Sequence, residues 1–385
     1  RALESLRSQG IALLHGEGYA HREVFSRAQQ ETLRMRRAAV ETVPGERFAA
    51  LWRGEVLDRC CIAVTAPRDG AAAPQPVYSS LEEKWFDPDC IYRNEMARME
   101  SLAYYGDAFP CLSLNFGAGG NAAYYGSKPV LRPDTVWFDP CLEDPEDYET
   151  LEMTDPFGML QKQLEVAENL AARSRGDYLV SMPDNCVAID ALAHLRGSEN
   201  LLCDMLTDPD EVLAASAKLI EGWKKTTMAF HEAIGRHQDG NCIGWLTTYA
   251  PGLHAQVQCD LGAMISRDLV EKFFLNELRE ACRFLEYSLY HLDGIEQKRF
   301  LDLILSVPEL KMIQWTSVDG QPPALASIES LRAIQAAGKG LLLNLPAVYV
   351  KDVLEQLSPK GLYIVTTAPD ESSAKALVDL AFRAR

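Results

Sequence analysis

Beyond Arg59 the apolar positions fall into short β-rich runs separated by longer amphipathic stretches, the alternation expected of parallel βα units. Eight runs stand out: CCIAVTA from Cys60, CLSLNF from Cys111, YLVSMP from Tyr178, CIGWLT from Cys242, YSLYHLD from Tyr287, MIQWTS from Met312, LLLNLP from Leu341 and LYIVTT from Leu362. Several are apolar at consecutive positions, as strands covered on both faces should be. Eight such strands predict an α/β fold of the TIM (β/α)8 barrel type, with an open doubly wound sheet as the competing architecture. Two further extended segments, TVWFDP from Thr135 and HAQVQCDLGAMIS from His254, fit as insertions or hairpins.

Ahead of these runs, a charged, helix-favouring stretch from His21 to about Glu41 is broken by VPG and followed by ERFAALWRGE. Residues 1–55 therefore read as an amino-terminal helical extension packed on a barrel of residues 56–385. The Pro-, Gly- and Ala-rich segment 66–80 reads as a long loop. NFGAGG, Asn115 to Gly120, lacks the spacing of a dinucleotide fingerprint or a phosphate-binding loop and reads as a tight turn after a strand.

Composition narrows the function. Apolar residues make up 47% and charged residues 24%, as in ordinary globular domains. A net charge of -17, with no basic run interleaved with aromatics, argues against nucleic acid as a partner. No apolar run approaches the ~20 residues of a membrane-spanning helix, so no membrane partner is expected and the chain is placed in the cytoplasm. The ten cysteines form no CxxC pair and read as reduced core residues.

In a βα barrel the chemistry sits at the carboxyl ends of the strands, and there this chain is polar. His291 and Asp293 in YHLDG stand two residues apart and so project to one side of their strand. The pair admits two readings: an ion pair closing a strand-to-helix turn, or a functional acid/base pair. Gln314 interrupts an apolar strand, where an unpartnered amide costs about 1–3 kcal/mol, so a ligand or a neighbouring side chain must satisfy it. Trp315 points to the opposite side in a regular strand. The candidate set is His291 and Asp293 as catalytic residues, with Asn115, Asp184, Tyr249, Gln314, Trp315 and Asn344 as substrate-binding residues. Singly, each could be a turn-capping residue.

YHLDG, IQW, the Gly-Lys-Gly-led strand, SPKGLYI and VQCDLGAMIS together resemble the uroporphyrinogen decarboxylase superfamily over most of the chain. The likeness is greatest to the branch grouped with corrinoid-dependent methyltransferases. It implies a TIM barrel that moves a methyl group between a small methylated compound and a corrinoid carrier, with a corrinoid protein as partner and a homodimer left open. CDLGAMIS maps the family's Asp and Ser onto Asp260 and Ser266, which adds Asp260 to the substrate-binding candidates.

Zinc enzymes of that branch use His-x-Cys at a strand end and a further Cys near the last strand. Here His291 matches, Asp293 replaces the Cys, and the last strand ends in Thr366, Thr367, Ala368 and Pro369. His291 and Asp293 could hold zinc if Cys259, Glu296 or another residue completes the shell. Alternatively Asp293 orients His291 as an acid/base without metal. Asn115 stands where decarboxylases have an Asp, and their arginine-bearing amino-terminal motif has no counterpart. A decarboxylase-like lyase acting on a small acid through Arg93 or Arg196, and a non-catalytic binding protein on the barrel scaffold, are the alternatives.

Overall fold

The computed structural model describes residues 45–384 except 70, 72 and 319. Most of the expected amino-terminal extension, residues 1–44, lies outside the described residues. Its last part, Gly45–Trp52, is a helix.

Among the described residues thirteen strands follow in chain order: β1 (Cys61–Pro67), β2 (Leu102–Gly106), β3 (Cys111–Leu112), β4 (Lys128–Leu131), β5 (Val136–Asp139), β6 (Leu179–Val180), β7 (Asn241–Ile243), β8 (Thr248–Ala250), β9 (His254–Gln258), β10 (Tyr287–Leu292), β11 (Met312–Trp315), β12 (Gly340–Asn344) and β13 (Leu362–Thr367). Seven of them form the central sheet in the order β2-β1-β13-β12-β11-β10-β9. All its pairs are parallel except β1 with the antiparallel β2. β3 and β6 make a separate parallel pair, and β4–β5 and β7–β8 are hairpins. The backbone bond from Met182 N to Cys242 O, 2.8 Å, ties the end of β6 to β7.

All eight expected runs contain a strand, and the 135 segment is the expected hairpin. Three expectations change. The sheet is not closed: its ladders end at β2 and β9. The segment from His254 is neither an insertion nor a hairpin, since β9 pairs in parallel with β10 at the edge of the sheet. CIGWLT is not one strand either. It leaves β7 at Ile243, turns through Gly244–Leu246 and Thr247 (φ 55°), and returns as β8.

Strand alternation divides the core in two. Ile62, Val64, Tyr290, Ile313, Leu341 and Leu343 face the helices in the larger cluster. Cys61, Ala63, Leu289, Met312, Leu342 and Tyr363 face inward with Phe48 and Leu51 of the first helix. Burying each large aliphatic side chain contributes about 1.5–3 kcal/mol, which is why these runs tolerate few polar residues. The first helix lies at the amino ends of the strands. Phe48 packs edge-on to Tyr363 at 5.2 Å, and Trp52 packs against His254 and Tyr287, the first residues of β9 and β10. The long helix Pro209–Gly235 opens with Pro at its start and Asp210 and Glu211 in its first turn, both favoured there. Among the described residues no helix is long and apolar enough to cross a membrane.

Candidate functional site

The inward face that is apolar at the amino end becomes polar towards the carboxyl end. His291 lies two residues beyond Leu289 on β10, and Gln314 two beyond Met312 on β11, so both follow the inward face. Parallel register sets Gln258, His291 and Gln314 side by side on three neighbouring strands. Asp260 lies two residues past the end of β9, and Asp293 directly follows β10.

This register assembles a cluster. One ligand atom from each of Asp260, His291 and Asp293 lies within 4.8 Å of the others. His291 Nε2 is 3.8 Å from Asp293 Oδ1, so the pair does share one side of its strand. On the other ring nitrogen, His291 Nδ1 hydrogen-bonds Gln314 Oε1, and Gln314 Nε2 donates to Thr316 Oγ1 at 2.7 Å. Trp245, in the turn after β7, sets its indole edge-on to the imidazole at 5.0 Å and 86°.

The cluster is acid-rich. Burial raises the Asp260 carboxyl to about 8, helped by the charges of Asp190, Asp293 and Asp184 and opposed by a hydrogen bond from Gln258. Water reaches Asp260, but protein surrounds it closely enough to disfavour the ionised form. Asp184, after β6, is also raised by burial, while a hydrogen bond from Gln256 Nε2 (2.8 Å) and the charge of His291 act the other way. Asp190 is buried and likewise raised, despite accepting two backbone N–H groups.

The remaining candidates divide. Asn344 ends β12 two residues beyond the inward-facing Leu342 and is exposed at the same carboxyl end. Asn115 uses Oδ1 on its own turn, accepting from Gly117 N at 3.0 Å. Tyr249 does not reach the cluster: its buried ring packs with Phe48 at 6.1 Å, against the helix at the amino end. Trp315 is corrected too, because strand alternation turns it into the helix-side core at 2% exposure. Of the residues considered to complete a metal shell, Cys259 is buried in that same core and Glu296 accepts from Gln321, whereas Asp260 joins the pair. Arg196 is held by Asp204 at 2.8 Å and by the carbonyl oxygens of Leu142 and Glu143, and Arg93 by Glu83 and Val77 on an exposed helix. Neither arginine is placed to meet a substrate carboxylate at His291.

Several contributors went unnoticed in the sequence. Gln256 and Gln258 had a signal: polar residues at alternate positions of an apolar strand, hence on one face. Trp245 and Thr316 had none, since only tertiary contact reveals them.

The donor set can hold a divalent cation. One imidazole nitrogen and two carboxylates converge, Gln314 occupies the far ring nitrogen as in many metal-histidine sites, and zinc accepts His and Asp ligands. It is a thiol-free set, unlike the His-x-Cys pattern of the zinc enzymes that the sequence resembles.

No family model and no curated protein matches the sequence. Among solved structures the chain is similar to a methyltransferase from Methanosarcina mazei, with a TM-score of 0.59 and 13% identity, over 89% of this chain and 99% of that one. At that identity the likeness establishes a shared fold.

Proposed function

We propose that the chain is a methyltransferase that moves a methyl group between a small methylated compound and a corrinoid carrier, borne by a partner protein, on a relative of the TIM barrel. The observation that carries this is the convergence of Asp260, His291 and Asp293 at the carboxyl ends of the parallel strands. The fold shared with a methyltransferase and the uroporphyrinogen decarboxylase-like motifs of the sequence support it.

Moving a methyl group off an oxygen, nitrogen or sulfur leaves an electron pair on that atom, which must be protonated or coordinated. The corrinoid would supply the nucleophile, or the acceptor, for the methyl group. Within the chain, His291 Nε2 with Asp293 and Asp260 faces the leaving atom, either handling its proton or holding a divalent cation such as zinc that would supply Lewis acidity there. Trp245 and Gln314 fix the ring in place, which holds the reacting groups in line.

The test is methyl transfer from a panel of methylated alcohols, ethers, amines and thioethers to reduced free cobalamin, followed by its absorption spectrum. His291→Ala should lower the rate ~100-fold or more with folding preserved, the scale of acid–base catalysis. Normal turnover in both His291→Ala and Asp293→Asn, with unchanged metal content, would leave the pair a structural ion pair and remove this reading.

A further inference from the structure

We propose that Gln314 is a positioning residue that fixes the tautomer of His291, with the proton on Nδ1 and the lone pair of Nε2 turned toward Asp260 and Asp293. The inference rests on the assignment of His291 to the reacting centre, but it concerns which ring nitrogen is free to react.

Three observations carry it. Gln314 is 3% exposed and both ends of its amide are engaged, Oε1 with His291 Nδ1 and Nε2 with Thr316 Oγ1, so it offers no free polar atom to a substrate. An amide oxygen can only accept, so His291 Nδ1 must donate, and a neutral imidazole then carries no proton on Nε2. The far side agrees: Nε2 stands 3.8 Å from Asp293 Oδ1, too far for a donated hydrogen bond and suited to two acceptors facing one shared ligand.

The source of this control is the register. Residues paired across β10 and β11 share a face, so His291 and Gln314 are held by the backbone ladder rather than by loops. Thr316, two residues further along the chain, contacts both ends of the amide, its Oγ1 lying 2.7 Å from Nε2 and 3.0 Å from Oε1. While the ring is neutral the same arrangement makes Nε2 a base or a ligand; it protonates a leaving atom only as the imidazolium, after taking up a second proton there.

The decisive experiment is a long-range proton–nitrogen correlation spectrum of protein labelled with 15N-histidine, the His291 signals being assigned by their loss in His291→Ala. The unmodified protein should show a protonated Nδ1 and a bare Nε2. Gln314→Leu should lose that single tautomer and weaken binding of added zinc by about 10-fold or more, as loss of a histidine's outer partner does. Gln314→Glu, which keeps an acceptor at Nδ1, should retain the tautomer. A protonated Nε2 in the unmodified protein overturns the proposal, as does an unchanged tautomer in Gln314→Leu. The first of these needs no change at Gln314, so a Gln314→Leu protein that fails to fold still leaves the proposal open to refutation. Zinc that does not bind the unmodified protein counts against the metal reading while the tautomer still tests Gln314, and methyl transfer is measured separately from both.

Discussion

One carboxylate oxygen of Asp190 accepts the backbone N–H of Asp260 at 2.8 Å, and the other takes that of Leu261 at 3.0 Å. A buried acid on the helix Ile189–Arg196 therefore sets the start of the turn that carries Asp260 into the cluster. Asp190→Ala orphans both amides, each costing about 1–3 kcal/mol. The expected result is a clear drop in the urea midpoint, larger than that of Asp190→Asn, which keeps one acceptor. Equal midpoints in the two variants would show that the amides find other partners.

Glu277 gives the stability a pH dependence. It is fully buried on the helix Leu275–Phe284, and burial raises its carboxyl to about 8, although it accepts the backbone N–H groups of Ala188 and Ile189. Between its ordinary value of 4.5 and about 8 the folded chain binds more protons at this site than the unfolded chain. Stability from this group therefore falls as pH rises through that window and is level outside it. Glu277→Gln should flatten the decline in denaturation curves taken at pH 5 to 8, at the cost of one amide contact. A slope unchanged by the substitution would assign it elsewhere.

Gly222 sits mid-helix where the phenol of Tyr125 comes closest. A methyl group added there would meet Tyr125 Oη at 1.7 Å, and that buried hydroxyl has no hydrogen-bond partner among the described residues. Gly222→Ala should therefore destabilise by about 1–3 kcal/mol, the scale of overpacking, despite alanine's better helix propensity. Adding Tyr125→Phe should recover much of the loss. A stabilised single variant would mean that the ring moves away freely.

The parts of the fold that could be read from the chain are those where apolarity alone decides. Each of the eight apolar runs contains a strand, and β1, β11, β12 and β13 are buried at nearly every position and hence on both faces. β9 fits an insertion or hairpin by sequence and is a sheet strand in the structure; its Gln256 and Gln258 interrupt an apolar pattern, and those amides lie beside Asp184 and Asp260. The end of β7 was overrun because Gly244 leaves no trace of its neighbour: a Cβ there would come within 2.8 Å of Ser113, so the chain turns where a longer apolar run had suggested strand. The order and openness of the ladders depend on register, which no local pattern carries. In the site, the His291–Asp293 spacing was readable because alternation is local. Trp315 was legible by the same rule, one residue out of phase with Gln314. The contact with Trp245 was not, since it links segments 46 residues apart, 245 to 291.

The helix Gly45–Trp52 has a consequence for traffic. With Phe48 wedged among the inward-facing side chains at one end, His291 sits towards the opposite end, so both partners of the proposed transfer would approach from the carboxyl-end side. A carrier as large as a protein would cover that side while it is docked. If the proposed carrier docks on that side, the small compound would have to be seated before it and the demethylated product would wait for its departure, making the proposed turnover a queue with a set order of arrival.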